Sequence, residues 1–520
     1  MWVAIAVSHC LRELDIGYAS YPDKSNILPM PSNLFTCKSL VILKLAGGIL
    51  LDVPRMVSLP SLKTLRLHKV KFLKDETLQR LLSNCPILED LLVDLRDDTM
   101  RKFTVVVPSL QRLTLRIPDN PHIDGFIIET PSLKHFKLRL HCIFYHHYFL
   151  VENMPNLIEA HIDVELHKVQ SLIGSITSVK RLALCSQIWP HGSFVFNQLE
   201  HLELCTCPRI FPNQIVRLLK ASSKLKRLGI SLMNVNRHRP QVMVDWNQPI
   251  TVPECLLSSL QSLGWVRYFN DKALQRLLSH CPVLEDLLVD LGERDRYSTR
   301  KLSVVVPSLL SLSLVIPDDH EIDELVIDTP ALKCFKLVDH SSSDHYCLIE
   351  NMPYLIKAHI DIELLDITSV VGSITSVKWL AICSEVTLDE GFVFNQLEHL
   401  ELCLCQKHSS NQLVRLLKAS PNLEGLNLFY MDDHESLQMD DWNQPTSVPE
   451  CILSSLQSFS WSEYTGEPHE REIAVYILKH ALHLKTATIK SSQWDVTELE
   501  MLKELSRSSR ASTACQLMFE

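Results

Sequence analysis

The sequence predicts an α/β solenoid of leucine-rich repeats, with a parallel sheet on the concave face and helices outside. Three observations carry that reading. A short string, x-L-x-x-L-x-L, recurs about 20 times along the 520 residues, mostly 20 to 29 residues apart, which is the period of such repeats. Helical segments lie between several of the copies. A longer block of about 200 residues is itself used twice, in register with the short string. Length alone would allow about three or four ordinary domains, but one unit reused along an array accounts for it equally well.

The copies run in order as LRELDI (11–16), SLVILKL (39–45), SLKTLRL (61–67), ILEDLLV (87–93) and SLQRLTL (109–115). They continue as SLKHFKL (132–138), NLIEAHI (156–162), SVKRLAL (178–184), QLEHLEL (198–204) and KLKRLGI (224–230). Further copies run from SLQSLGW (259–265) to HLKTATI (483–489). Within one unit Leu65 and Leu67 are two apart, so they share a strand face and point into the core, with Leu62 entering just before. Thr64 and Arg66 then face solvent. Residues 75–85 read as a helix with Leu78, Leu81 and Leu82 on one face, Asp75 as N-cap and Pro86 as the stop. A similar helix begins at Asn213 and buries Ile215, Val216, Leu218 and Leu219.

The longer repeat is a tandem duplication with an offset of 196 to 199 residues. ETLQRLLSNCPILEDLLVDL (76–95) returns at 272–291, and FVFNQLEHLELC (194–205) returns intact at 392–403. DWNQPITVPECLLSSLQSLGW (245–265) returns at 441–461 as DWNQPTSVPECILSSLQSFSW. Residues 1 to about 70 have no second copy, and those after Trp461 have no first. The spacing at the splice, 265–278, suits a continuous array of about 90 Å of arc at ~4.8 Å per strand; two shorter arrays are the other possibility.

Composition narrows the class. Thirteen glycines and no GxGxxG or GxxxxGK[ST] string count against nucleotide-binding enzymes. A net charge of −10 without a Lys/Arg block counts against a nucleic-acid binder. Sixteen cysteines, mostly single within apolar runs, fall short of a secreted disulfide scaffold. The apolar run in MWVAIAVSHCLREL lacks a cationic leader, and no stretch of 18 apolar residues offers a membrane span. A reducing compartment, cytoplasm or nucleus, is expected.

The residues resemble a known family. LPMPSNLFTCKSLVILKL (28–45), VSLPSLKTLRLHKVKF (57–72), LLSNCPILEDLLV (81–93) and VVVPSLQRLTL (105–115) are similar to the repeat region of plant F-box/FBD/LRR proteins. VPECILSSLQSFSW (448–461), Tyr464, Gly466, the helix at 470–481 and the strand at 484–489 resemble their FBD domain. The resemblance implies a solenoid closed by an FBD-type α+β cap. It implies four regions: repeats over 1–240, a truncated FBD-like segment over 241–265, repeats again over 266–440, and an FBD over 441–520. It also implies a non-enzymatic substrate-recognition subunit of an SCF-type ubiquitin ligase, with the target on the concave face. In that family an F-box docks a Skp-type adaptor and, through it, a cullin. The opening residues match the segment that follows an F-box, so no residue here is assigned to the adaptor. An interaction or decoy protein without a ligase role, or a fused product of two paralogous genes, fits the same pattern. A small-ligand receptor would need a deep pocket closed by a long loop.

No cofactor, metal, membrane or nucleic-acid partner is expected. HLELCTC (201–207) and HLELCLC (399–405) bring a histidine near two cysteines, but Cys207 and Cys405 occupy the turn position of the repeat, and CxC alone is poor zinc spacing. HCIFYHHY (141–148) and DHSSSDHYC (339–347) share His147/His345 and Tyr148/Tyr346, which suits a loop better than a metal set. Trp246 and Trp442 read as packing residues, and helix 470–481 as a core face built on Ile473, Ile477, Leu478 and Ala481. The candidate binding surface is the outward side of the strands: Arg112, Thr114, His135, Lys137, Arg181, His201, Glu203, Lys226 and Arg227 in the first copy. In the second copy it includes Trp379, His399 and Glu401, with Trp379 replacing Arg181 and Glu424–Gly425 replacing Lys226–Arg227. Two different binding surfaces are therefore expected.

Overall fold

The computed structural model describes residues 3, 5, 7, 10–18, 28–74, 76–95, 102–117, 125–140, 148–164, 170–186, 194–206, 212–232, 252–266, 271–291, 301–318, 322–341, 345–350, 352–363, 367–384, 391–431, 442–491 and 505–520. It forms two compact units, Met1–Leu260 and Gln261–Glu520. Strand Ser262–Val266 falls in the second of these.

In the first unit the repeats lay down a parallel sheet. Its strands are Glu13–Tyr18, Ile42–Gly47, Thr64–Phe72, Asp90–Leu95, Arg112–Ile117, His135–Leu140, Glu159–Val164, Arg181–Ser186, His201–Thr206 and Arg227–Leu232. Each pairs parallel with the next, as Leu43 with Leu65, Leu113 with Phe136 and Leu202 with Leu228, and the register slips by one between His68 and Val70, where Thr64–Phe72 meets Asp90–Leu95. The alternation of the leucine string is the cause: Leu65, Leu67, Leu91, Val93, Leu113 and Leu115 are at most 1% exposed. At each strand entry one carbonyl takes two amide protons from the following repeat. Val41 O accepts from Lys63 and Thr64, and Lys63 O from Glu89 and Asp90.

The outer side is mixed. Helices Glu76–Ser83 and Pro212–Lys220 bury the leucines their periodicity assigned, although Asp75, the expected cap, lies outside the described residues. Thr77 Oγ1 accepts the Lys74 amide there at 3.2 Å. Between these helices the outer layer is a small parallel sheet, Lys102–Val106, Gly125–Glu129 and Tyr148–Val151. Runs such as FTVV and FII are β-branched and aromatic, so they extend instead of coiling. Phe103 and Phe126 fill the space beneath, rings 6.0 Å apart.

The second unit repeats this plan. Its main sheet runs Ser262–Val266, Asp286–Asp290, Ser311–Ile316, Cys334–Asp339, Lys357–Ile362, Trp379–Ser384, His399–Cys403 and Gly425–Phe429. The expected cap adds Ser458–Tyr464, Thr486–Ser491 and Gln516–Phe519, which pair parallel as further rungs. Helix Pro468–His480 covers them with Ile473, Ile477 and Leu478 buried, and Trp442 packs edge-on against Tyr476 at 5.9 Å. Trp246 lies outside the described residues.

The duplicated VPEC block earns its residues by hydrogen bonding. Ser259 Oγ reaches Leu225 O at 2.9 Å and Ser455 Oγ reaches Leu423 O at 2.8 Å. The buried thiols of Cys255 and Cys451 donate to Leu219 O and Leu417 O, ending the preceding helices.

A candidate protein-binding face

Register places the outward side chains in rows about 4.8 Å apart. In the first unit one row reads Arg112, His135, Glu159, Arg181, His201, Arg227. The next, two residues along, reads Thr114, Lys137, His161, Ala183, Glu203, Gly229. Arg112, Lys137, Arg181, Glu203 and Arg227 are exposed, and His135 and His201 half-buried. All but one of the expected first-copy residues thus share one face. The exception is Lys226, which precedes its strand and pairs with Glu200 at 3.1 Å on the lip. Adjacent residues of a strand cannot share a face, so Arg227 excludes it.

Glu159, absent from the sequence-derived set, is the hub of the first row. Its carboxylate meets Arg181 Nη2 at 2.9 Å and His135 Nδ1 at 3.5 Å. The Arg181 hydrogen bond holds Glu159 below the usual carboxylate range. Lys137 and Arg227 make no ion pair among the described residues. Burial, then the neighbouring Lys137, lowers the His161 pKa; burial, then Arg227, lowers that of His201. The outward position of NLIEAHI was the signal for Glu159 and His161.

The second unit keeps the core and changes the rows. At corresponding positions Arg112 becomes Ser311, His135 becomes Cys334, Glu159 becomes Lys357, Arg181 becomes Trp379 and Arg227 becomes Gly425. Lys336, His359, His399 and Glu401 match Lys137, His161, His201 and Glu203. Lys357 Nζ stands 3.8 Å from the Trp379 ring centre. His399 is exposed and leans over Gly425, where a Cβ would lie 2.5 Å from its Nδ1. Burial raises the Glu401 pKa. A charged face in one unit thus answers a polar, aromatic one in the other.

Two clusters lie apart from these rows. His345, Ser341 and Asp339 form a closed set, with Ser341 Oγ to His345 Nδ1 at 3.2 Å and His345 Nε2 to Asp339 Oδ2 at 3.2 Å. All three are buried, and Asp339 Oδ1 also accepts the Ser341 amide, so the set staples the turn after its strand. The first-copy counterpart at 141–147, like Cys207, lies outside the described residues. The second cluster joins Cys383, Cys403 and Cys405, all buried. His399 is four residues before Cys403 on an extended strand, about 13 Å away, so it does not join them.

Strands in register, a shared leucine core and variable outward rows define a leucine-rich-repeat scaffold of the protein-interaction class. A family model described as "FBD-associated F-box protein At5g56370, LRR repeats" matches residues 1–157, one for leucine-rich repeats matches 262–282, and one for FBD matches 444–489. FBD-associated F-box protein At4g10400 of Arabidopsis thaliana is 37% identical over 521 residues, covering 100% of this chain and 77% of its own length. FBD-associated F-box protein At5g38590 of the same plant is 52% identical over 245 residues, 46% of this chain and 59% of that protein. The chain belongs to the FBD-associated F-box protein family. No helix among the described residues is long and apolar enough to cross a membrane.

Proposed function

We propose that the chain recognises protein targets for an SCF-type ubiquitin ligase, holding them against the outward strand rows. One observation carries this reading: paired core positions such as Leu182 and Leu380 match while their outward neighbours Arg181 and Trp379 do not. Different binding demands on the two units would account for Arg112 and Arg227 in one and Lys357 and Trp379 in the other, where drift at exposed positions would scatter such changes without effect on partners. The two units would then hold different targets, or different parts of one target. The chain contributes recognition, and ubiquitin transfer occurs on the cullin-bound partner. Family membership supports the ligase setting; adaptor and cullin contact would require an F-box, to which no residue here is assigned.

The test has two arms. Pull-down with a Skp-type adaptor compares this chain with a form extended upstream in its gene. Capture by the extended form supports the ligase role, and capture by neither removes it, leaving an interaction or decoy protein. Proximity labelling in plant cells then compares the chain with an Arg112→Ala/Lys137→Ala/Arg227→Ala variant and with Trp379→Ala. Unchanged partner sets in both variants would refute target binding on the strand face.

A further inference from the structure

The three thiols of Cys383, Cys403 and Cys405 converge in the second unit, where Cys383 and Cys403 follow Ala381 and Glu401 by two residues and so continue the outward side of their strands. Cys403 Sγ lies 2.9 Å from Cys405 Sγ, Cys383 Sγ lies 3.3 Å from Cys405 Sγ, and all three sulfurs fall within 4.8 Å of one another. Each residue is at most 2% exposed. Phe429, Tyr430 and Met431 pack against them, so the cluster is apolar at its rim and carries a thioether residue beside it. Such sulfur separations are shorter than ordinary contact between thiols. In the free protein they are thiol–thiol hydrogen bonds, with Cys403 donating to Cys405, and a shared cation would take the place of those protons.

We infer that Cys383, Cys403 and Cys405 form a thiolate site for a soft monovalent cation, Cu(I). Three sulfurs with no nitrogen or oxygen donor among the described residues match the preference of Cu(I) for thiolate. Structural zinc, by contrast, takes four ligands. A cation about 2.3 Å from each sulfur sets the sulfurs about 4 Å apart, so the 2.9 Å contact would open by about 1 Å. Binding replaces thiol protons by the metal, so protons are released to solvent as the Cu–S bonds form.

The first unit explains why the set is hard to see from sequence. Cys185 and Cys205 stand in register there on adjacent strands, whereas Cys383 and Cys403 lie one residue past the last paired rung, Ile382 with Leu402. Cys383 and Cys403 are 20 residues apart in the chain and meet only through strand pairing.

The experiment uses the whole chain, reduced and kept free of oxygen, with Cys185→Ser introduced to silence the first-unit pair. Cu(I) is delivered as its acetonitrile complex against the chromophoric chelator bicinchoninate, with Zn(II) added in a parallel series. One equivalent of Cu(I) held against the chelator, with proton release and no displacement by Zn(II), is the expected result. Cys403→Ser or Cys383→Ala should each weaken retention about 10- to 100-fold or more, the range already seen for losing a mere supporting residue of a metal site. Cys334→Ser, at an exposed strand position, should leave it unchanged, and circular dichroism confirms that each variant folds. Retention unaffected by both cluster variants overturns the site. Zn(II) held as tightly as Cu(I) overturns the choice of ion, and a Cys403–Cys405 or Cys383–Cys405 disulfide in protein isolated without reductant overturns the proposal.

Discussion

Lys357 stands over the ring of Trp379, its ammonium 3.8 Å from the ring centre, where the first unit sets Glu159 against Arg181 at 2.9 Å. One pair is neutral overall and the other keeps a free positive charge over an aromatic plate. Trp379→Ala should therefore cost only about 0.5–1 kcal/mol of stability, the value of an exposed cation–π pair, while removing the most distinctive element of that face. Trp379→Arg should be worse for folding, because it sets a guanidinium directly beside Lys357. Thermal unfolding of both variants, alongside partner capture, separates the two effects.

Glu470 is fully buried and accepts four hydrogen bonds. Its donors are Tyr430 Oη at 2.7 Å, the Thr465 amide at 2.9 Å, Thr465 Oγ1 at 3.0 Å and the Gly466 amide at 2.8 Å. It ties the turn before helix Pro468–His480 to the preceding repeat. Glu470→Ala leaves these half-buried donors without their acceptor and should cost on the order of 3 kcal/mol. Tyr430→Phe removes one donor and should cost about half as much. Urea midpoints monitored by tryptophan fluorescence give the ranking, which fails if the two variants lose the same amount.

Histidines of both rows give the protein a definite acid response. Burial lowers the pKa of His161, His201 and His359 below their ordinary 6.5, so folding favours their neutral forms. Their stabilising contribution is present above 6.5 and is lost as pH falls through the lowered values. His340 has the opposite sign: the Asp361 hydrogen bond raises its pKa, so its contribution is present below 6.5 and is lost as pH rises through the raised value. His161→Gln with His201→Gln should flatten the fall in stability between about pH 7 and about pH 5, and His340→Gln should steepen it. Unfolding midpoints across that range decide the matter.

Ser455 donates to Leu423 O at 2.8 Å, and Ser259 does the same to Leu225 O at 2.9 Å. Alanine at either position should cost about 1 kcal/mol, and the double variant about twice that, since the sites lie in separate units. Strong non-additivity in denaturant titrations would show that the two blocks are coupled.

The main sheet was legible because a strand's side chains alternate, and Leu65 with Leu67 marks both strand and face. The outer sheets were less legible. In FTVV nothing local shows whether a β-branched run pairs with a strand over 20 residues away. Arg112, His135, Arg181 and Trp379 followed from alternation alone. Lys226 did not, because it stands one place before the string position at which every strand begins, the position of Arg112 and Arg227. The cysteine cluster required knowing which strand lies beside which, and His399, close in sequence, pointed the wrong way.

The double amide contacts at each strand entry have a consequence for how the chain is made. Lys63 and Thr64 reach back to Val41, and Glu89 and Asp90 reach back to Lys63, so each strand meets its partner after a loop of only about 20 to 33 residues. Such short closures need no distant segment, so a ribosome can emit the protein as a sequence of finished steps. Damage should travel the same way: a cut or a misfolded rung disturbs the steps beside it first, and a truncated chain can keep the rungs already laid down.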